Sequence, residues 1–270
     1  MLALIAGTGG LPRVLAERAR AAGDPPVVCA LEAFPPDVPT DLPRLDFRLE
    51  TFGTLLATLV EAGVDRLCMA GAVRRVPVEP ARVDARTAPL MPRLAAALAR
   101  GDDGTLREII AIIEETGITV IGAEDIAPDL LPPPGIPTRA APPEDAEAWA
   151  RAGEAALAEM GAADLGQAVV LRDGCVLGRE DEDGTAALIA RFAPPAGTGA
   201  VLYKAPKPGQ ERRADLPLIG PDTASACAAA GFAGLIVEAG GVMVLDLDRV
   251  VGICDEAGLF LWIRPRRGEA

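Results

Sequence analysis

The residues best suited to chemistry lie in the segment 204–215, which has the sequence KAPKPGQERRAD. Lys204 and Lys207 are the only two lysines among 26 basic residues, and Gln210 is one of only two glutamines. Two ammonium groups in a chain of net charge −13 favour a polyanionic ligand, most simply a diphosphate. Because arginine is used almost everywhere else, we expect that a compact ammonium is required here. The alternative is a solvated basic loop.

Asp215 is the carboxylate at the far end of this segment. Phosphoryl transfer needs a group that holds Mg²⁺ or orients a water, and Asp215 is suited to either task. In the structural alternative, Asp215 forms an ion pair with Arg212 or Arg213 and fixes the loop. We predict Lys204, Lys207 and Asp215 as catalytic residues, with Asp215 also a metal ligand. Gln210 and Arg213 are predicted to bind substrate.

Residue types that are missing from the chain narrow the chemistry further. There is no histidine, which excludes Ser-His-Asp triads, HExxH zinc sites and histidine general bases, and there is no asparagine. Catalysis must therefore use carboxylates, lysine or arginine, and backbone amides, and an oxygen-ligated metal such as Mg²⁺ is one further option. A net charge of −13 and a pI near 4.6 argue against a nucleic-acid partner and against a polybasic membrane anchor.

A glycine-rich turn, residues 7–12 with the sequence GTGGLP, follows an apolar run and precedes a helical pattern. Backbone N–H groups and the helix dipole converge at such a turn, so Gly9, Gly10, Leu11 and Pro12 are predicted to contact a phosphate. The alternative is a plain tight turn. Pro12 stands where the dinucleotide-binding fingerprint has its third glycine, which disfavours NAD.

A second loop follows the apolar run 66–70 and contains Gly71, Ala72, Val73 and Arg74. Open α/β sheets bind ligands at strand ends of this kind, so these residues are predicted to bind substrate. Arg74 or its neighbour Arg75 would clamp a phosphate. A solvated arginine pair is the alternative interpretation.

Two further candidates lie at predicted helix starts. Asp102 and Asp103 are interpreted either as a helix N-cap or as a pair of metal or ribose ligands. Gly184 and Thr185 open another helix after an acidic run and are interpreted either as a cap or as a second phosphate contact.

The elements that must position these residues alternate between apolar runs and helical patterns, which is typical of a parallel α/β sheet. Strands are predicted at residues 2–6, 27–31, 66–70 and 118–122, and helices from the turn to Gly23 and at about 53–62, 90–100 and 104–116. The stretch 132–143 has six prolines in twelve residues and is predicted to be a linker. We expect a two-domain α/β protein, with a Rossmann-like parallel-sheet domain at 1–131 and a mixed α/β domain at 144–270 that carries the segment 204–215.

In the second half, hairpins are predicted at 168–179, with Asp173-Gly174 as a type I′ turn, and at 235–245, with Gly240-Gly241 as the turn. Helices are predicted at about 144–160, 184–192, 221–230 and 247–257, with strands at 200–204 and 258–263. Five cysteines without a CxxC pair indicate reduced core residues of a cytosolic protein. No apolar run reaches the roughly 18 residues of a membrane span, and no signal peptide is predicted.

Six motifs make the chain similar to the Mg²⁺-dependent UDP-2,3-diacylglucosamine pyrophosphatases of lipid A biosynthesis, in their alphaproteobacterial form. The motifs cover nearly the whole length and are IAGTGGLP, MAGAVRR, RGDDG, DLGQAVVLRDG, VLYKAPKPGQERRADLPLIGPDT and GFAGLIVEAGG. The resemblance implies two domains with the substrate between them. It implies hydrolysis of UDP-2,3-diacylglucosamine to UMP and 2,3-diacylglucosamine 1-phosphate, by water attacking the β-phosphorus.

The resemblance also implies a fuller site, a cofactor and partners. It adds two residues of its own motifs to the substrate-binding candidates, Gln167 and Glu238. It implies Mg²⁺ as cofactor, a homodimer, and a cytoplasmic enzyme with transient, peripheral contact with inner-membrane lipid.

One departure from the family pattern favours a different function. The family carries aspartate after the Gly-Thr of the second-domain helix, and here Ala186 stands in that place. Glu180, Asp181 or Asp183 would have to compensate, or activity would be low. The alternatives are a non-catalytic protein that binds UDP-sugars or acyl lipids and, with less support, an NAD-dependent oxidoreductase.

Overall fold

The computed structural model describes residues 1–73, 77–99, 101–162 and 165–265. The chain forms two compact units. The first comprises Met1–Pro128 and Glu211–Asp215, and the second comprises Asp129–Gln210 and Leu216–Ala270. The segment 204–215 was expected to lie wholly in the second domain, whereas its last five residues pack with the first unit. Arg74 and Arg75 lie outside the described residues.

The first unit is an open parallel α/β sheet. Its strands are β1 (Leu2–Ala6), β2 (Val27–Leu31), β3 (Arg44–Phe47), β4 (Arg66–Ala70) and β5 (Thr119–Ile121). Its helices are α1 (Leu11–Ala21), α2 (Phe52–Glu61), α3 (Met91–Leu98), α4 (Asp102–Glu114) and α5 (Ala123–Ile126). The strands are all parallel in the order β3-β2-β1-β4-β5. The expectation of a Rossmann-like parallel sheet is confirmed.

Three of the four predicted strands of this sheet lie in its interior, and the fourth, β5, lies at one edge. Strands buried by helices on both faces are expected to be continuous apolar runs, and β1, β2 and β4 coincide with such runs. β3 was not predicted, because it is an edge strand of mixed polarity. Arg44 and Asp46 on β3 hydrogen bond to each other, with 2.8 Å between Nε and Oδ1.

The second unit is built on a mixed sheet. Its strands are β6 (Ala168–Arg172), β7 (Cys175–Arg179), β8 (Val201–Lys204), β9 (Leu218–Ile219), β10 (Gly234–Glu238), β11 (Met243–Val244) and β12 (Phe260–Arg264). Its helices are α6 (Ala146–Ala162), α7 (Gly184–Ala190), α8 (Pro221–Ala229) and α9 (Leu247–Ala257). The main sheet has the order β12-β10-β8-β6-β7, in which β8, β10 and β12 are parallel and β6 and β7 are antiparallel to their neighbours.

One predicted hairpin forms and the other does not. Asp173 and Gly174 join β6 to β7 with φ of +51° and +74°, the conformation that a type I′ turn requires. The prediction of a hairpin around Gly240 and Gly241 is wrong. β10 lies between two parallel partners, so both of its edges are occupied, and β11 instead pairs with β9 in a separate two-stranded sheet.

The proline-rich stretch 132–143 packs within the second unit. Gly135 exchanges backbone hydrogen bonds with Ile263, both of 2.9 Å, and the hydroxyl of Thr138 accepts a hydrogen bond from the Leu261 N–H. Four cysteines are buried as predicted, but Cys175 on β7 is exposed. Among the described residues, no helix is long and apolar enough to cross a membrane.

Candidate active site

The first candidate region lies at the carboxyl ends of β1 and β4. These two strands are neighbours at the centre of the sheet, and the chain order diverges between them, since β2 and β3 lie on one side and β5 on the other. Ligands of open α/β sheets bind at this switch point, beyond the carboxyl ends of the strands. Both loops that the sequence analysis singled out, 7–12 and 71–75, begin here.

The two loops are joined by a short antiparallel bridge between Thr8 and Ala72. The Thr8 N–H donates to the Ala72 carbonyl at 3.0 Å, and the Ala72 N–H donates to the Thr8 carbonyl at 2.8 Å. Gly71 has a φ of +90°, and a methyl group there would lie 2.7 Å from Pro12 Cγ and 2.8 Å from the Thr8 carbonyl oxygen. The close approach of the loops therefore requires glycine at position 71.

Helix α1 begins at this bridge, with Gly10 as its N-cap and Pro12 in its first turn. The first N–H groups of a helix have no partner inside the helix, and its dipole is positive at this end. Gly9 and Gly10 are exposed. The structure thus brings together seven predicted substrate-binding residues: Gly9, Gly10, Leu11, Pro12, Gly71, Ala72 and Val73. What they present is mainly backbone, suited to an anion such as phosphate.

The second candidate region lies at the carboxyl end of β8. Lys204 ends this strand, in register with Val237 of β10, and is only 7% exposed. Its Nζ donates a hydrogen bond of 2.7 Å to the hydroxyl of Thr185. Thr185 in turn donates to Glu180 Oε1 at 2.5 Å, and the Gln167 N–H donates to Glu180 Oε2 at 2.6 Å. Three predicted site residues, Lys204, Thr185 and Gln167, therefore meet around one buried carboxylate.

Glu180 was not among the predicted site residues and was named only as a substitute for the aspartate missing at 186. Side chains alternate between exposed and more buried along β7, and Arg179 at its end is exposed. Strand alternation therefore predicts a buried side chain at Glu180. Its acidic neighbours Asp181 and Asp183 are placed differently. Asp181 pairs with Arg191 at 2.5 Å, and Asp183 is the N-cap of α7. Thr185 is therefore not a cap, and its hydroxyl belongs to the lysine network.

The adjacent strand ends carry further charge. Glu238 ends β10 in register with Arg264 of β12. Arg264 is buried and forms a bidentate pair with Glu147 of α6, at 3.0 and 2.9 Å, and a hydrogen bond with Glu154. These contacts, chiefly that with Glu147, raise the pKa of the Arg264 guanidinium. Arg264 was not predicted as a site residue, because its acidic partners lie more than a hundred residues earlier in the chain.

The turn after β8 is held by a side chain that was predicted to bind substrate. The Lys207 N–H donates to Gln210 Oε1 at 2.9 Å, and Gln210 is buried. This hydrogen bond fixes the backbone between the two residues. Gln210 therefore shapes the turn that presents Lys207.

Residues 211–215 are anchored in the first unit through Asp103. The Glu211 N–H donates to Asp103 Oδ1 at 2.8 Å, and Arg107 pairs with Asp103 Oδ2 at 2.7 Å. Arg213 binds Glu211 through Nε at 3.0 Å and Glu114 through Nη1 at 2.8 Å. The hydrogen bonds from Arg213 lower the pKa of Glu211, although burial opposes the shift. Arg213 and Asp103, both predicted to bind substrate, thus have protein partners that fix this segment.

The N-cap interpretation of Asp102 and Asp103 is wrong. Gly101 is the N-cap of α4, with a φ of +96°, and both aspartates lie in the first turn. Carboxylates in a first turn complement the helix dipole. The hydrogen bond from Glu211 then gives Asp103 its second task, that of an anchor.

The acidic side chains limit the kind of metal site that this chain can form. Among the residues that the structure describes, no group of three or more Asp, Glu, Cys or His side chains could hold a metal ion. Mg²⁺ is commonly held by one or two carboxylates together with substrate phosphates and waters. A Mg²⁺ ion bound here would therefore take at most two ligands from the described acidic side chains, and the others from substrate and water.

Comparison with known proteins identifies the family. The model of the LpxI N-terminal domain matches residues 1–130, and the model of the LpxI C-terminal domain matches residues 133–262. This chain belongs to the LpxI family. A relative from Caulobacter vibrioides, named UDP-2,3-diacylglucosamine pyrophosphatase LpxI, is 37% identical over 269 residues, which cover 96% of each chain. The LpxI match confirms the resemblance drawn from the six motifs.

Proposed function

We propose that the chain hydrolyses the diphosphate of UDP-2,3-diacylglucosamine to UMP and 2,3-diacylglucosamine 1-phosphate, a step of lipid A biosynthesis. The LpxI relative bears the name of this activity. The structural observation that carries the proposal is the buried Lys204 ammonium, held by Thr185 at the carboxyl end of β8. A fixed cation at a strand end is what a diphosphate-cleaving site needs for its developing negative charge.

The described residues divide the work of such a reaction. The backbone N–H groups after β1 bind the nucleotide phosphate, and Lys204 and Lys207 neutralise the diphosphate. Asp215 orients the attacking water. The water oxygen forms a bond to the β-phosphorus, the bond from that phosphorus to the bridging oxygen breaks, and UMP leaves with the bridging oxygen. The phosphate that remains on the sugar carries the new oxygen.

We further propose Mg²⁺ as the cofactor, held by Asp215 together with substrate oxygens. When bound, the ion supplies charge neutralisation at the diphosphate. The two acyl chains of the substrate require an apolar surface, so we expect transient, peripheral contact with inner-membrane lipid from the cytoplasmic side. We also propose that the enzyme is a homodimer, as the family resemblance implies.

The decisive experiment is hydrolysis of UDP-2,3-diacylglucosamine by the purified chain in ¹⁸O-labelled water, with Mg²⁺ or with EDTA. We expect UMP and the 1-phosphate only with Mg²⁺, and the label in the lipid phosphate. Label in UMP would overturn attack at the β-phosphorus. Turnover in EDTA would remove the metal from the proposal, and absence of any turnover with Mg²⁺ would overturn the function.

Asp215→Ala separates the catalytic role of this carboxylate from a structural one. If Asp215 holds the ion or the water, kcat should fall by about 100-fold or more while substrate affinity is largely kept. If it only fixes the loop, melting temperature and affinity should fall together with kcat nearly unchanged. A folded, fully active variant would remove Asp215 from the catalytic residues.

One observation favours a second candidate function. Ala186 stands where the family has aspartate, so the chain lacks one acidic group of that motif. A protein that binds UDP-sugars or acyl lipids without cleaving them would tolerate this loss. Tight binding of the substrate with no product, in the presence of Mg²⁺, would support that alternative.

A further inference from the structure

Glu180 is the buried carboxylate at the centre of the Lys204 network, and it is only 8% exposed. It follows β7 directly, and its two carboxylate oxygens receive hydrogen bonds from different elements. Oε2 accepts the Gln167 N–H, just before β6, and Oε1 accepts the Thr185 hydroxyl, at the start of α7. The carboxylate thus fixes Thr185 to the edge of the main sheet.

The hydrogen bonds in this network have only one consistent direction. Thr185 has a single hydroxyl proton, and the carboxylate of Glu180 is an acceptor only. The proton therefore points to Glu180, and the lone pairs of Thr185 are left for the Lys204 ammonium at 2.7 Å. In glutamine at position 180 one of the two oxygens becomes an NH₂ group, which donates and does not accept, so the amide cannot accept from both Gln167 and Thr185 in this geometry.

The packing around Glu180 holds it in this orientation. A methyl group on Gly166 would lie 2.4 Å from Glu180 Cγ and 2.6 Å from Cβ, so the side chain fills the space that glycine leaves. Such close packing restricts the side chain to the rotamer observed. The carboxylate is therefore preorganised before any ligand binds.

We propose that Glu180 is a positioning residue for the hydrolysis: it orients the Thr185 hydroxyl, which holds the Lys204 ammonium toward the diphosphate. This inference rests on the proposed function. It also bears on the lysine at 204, since a compact ammonium and a planar guanidinium make different contacts with a hydroxyl such as that of Thr185. Of the three acidic residues that were candidates to compensate for Ala186, Glu180 is the one in contact with the network.

The inference is tested by a double-mutant cycle on kcat with UDP-2,3-diacylglucosamine. Glu180→Gln and Thr185→Val should each lower kcat by about 10- to 100-fold, the range for losing a hydrogen bond to a charged group. Because Glu180 acts through Thr185, the double variant should be no slower than Thr185→Val alone. Thr185→Ser keeps the hydroxyl and should retain most of the activity, and the exposed neighbour Glu182→Gln is the matched control.

The outcomes separate this inference from the function on which it rests. If the wild type and Glu182→Gln do not hydrolyse the substrate, the proposed function is wrong. If they do, and Glu180→Gln is equally active or its effect adds fully to that of Thr185→Val, Glu180 has no positioning role. Should Glu180→Gln fail to fold, wild-type kcat in Thr185→Val would still overturn the inference, because the relay would then be unnecessary.

Discussion

The strands of the two sheets carry different kinds of chemical group at their carboxyl ends. Beyond β1 and β4 in the first unit, the described residues present glycines and backbone N–H groups, and the loops are joined main chain to main chain through Thr8 and Ala72. Beyond β8, β10 and β12 in the second unit, the strand ends carry Lys204, Glu238 and Arg264. One region offers backbone dipoles and the other offers charged side chains.

We propose that this difference separates binding from catalysis. Backbone N–H groups bind an anion with little sensitivity to side-chain identity, which suits a phosphate that does not react. Charges held by buried partners are already in place when negative charge develops in the transition state. We therefore propose that the backbone N–H groups after β1 bind the nucleotide phosphate and that Lys204 stabilises the reacting diphosphate.

Of the substitutions proposed, Lys204→Arg should lower kcat most. It keeps the positive charge but replaces the compact ammonium group with a planar guanidinium. The ammonium is buried and 2.7 Å from Thr185, and a longer, planar guanidinium would have to displace these neighbours or leave this contact. We expect kcat to fall by about 100-fold, the scale for losing one transition-state donor, with a smaller change in UMP affinity. Steady-state kinetics and UMP titration measure the two quantities.

Arg191→Lys is the matched control for this prediction, since it exchanges the same two residue types at an ion pair that is half exposed. It should leave kcat unchanged. Wild-type turnover in Lys204→Arg would mean that only the positive charge at position 204 matters. The proposed catalytic role of a precisely placed lysine ammonium would then be wrong.

Gly71→Ala tests the backbone region and should act on affinity. The added methyl would meet Pro12 Cγ at 2.7 Å and main-chain atoms of Gly7 and Thr8 at 2.8 Å, so the two loops must separate. We expect UMP affinity to fall by about 10-fold or more, with kcat at saturation changed much less. Gly63→Ala is the control, because its φ of +79° imposes the same backbone strain with nothing within 4 Å. Equal UMP affinity in the two variants would contradict the assignment.

Much of the fold follows from local patterns in the sequence. Three strands end where apolar runs end, namely β1, β2 and β4, and α9 spans the predicted residues. Both kinds of element can be predicted because hydrophobic runs and helical periodicity are patterns of neighbouring residues. The expected hairpin at Gly240 failed for a non-local reason. Its first strand already has a parallel partner on each edge, and the partners come from distant segments.

Candidate site residues could be predicted where several reactive side chains lie in one short segment. They could not be predicted where the partners that join them come from other segments. Lys204, Thr185 and Gln167 were predicted separately, yet the carboxylate that joins them, Glu180, is one of several acids in a polar run. Likewise, nothing local shows that Glu211 leaves the second unit and binds Asp103 of α4. The spacing of residues within a motif does not show a contact between residues that lie more than a hundred positions apart in the sequence.

Glu211→Gln should have the smallest effect of the three, and it tests the segment that joins the first unit. Arg213 lowers the pKa of Glu211 below its ordinary value of 4.5, so the folded state favours the carboxylate. The stabilisation is therefore complete above pH 4.5 and is lost as the pH falls through the lower, folded-state value. At pH 7 we expect the substitution to reduce the free energy of unfolding by about 1 kcal/mol.

That difference should shrink steadily on acidification below pH 4.5, because the wild-type carboxyl becomes protonated and loses its advantage over the neutral amide. Denaturant unfolding of both proteins between pH 3 and pH 7 measures it. Glu61→Gln is the control, since Glu61 is well exposed and its ion pair with Arg86 is 3.7 Å long. Exposed pairs contribute little, so this variant should match the wild type at every pH. A Glu211→Gln difference that stays constant with pH would show that the segment is held by packing of Ala214 on the first core, and not by the charges around Glu211.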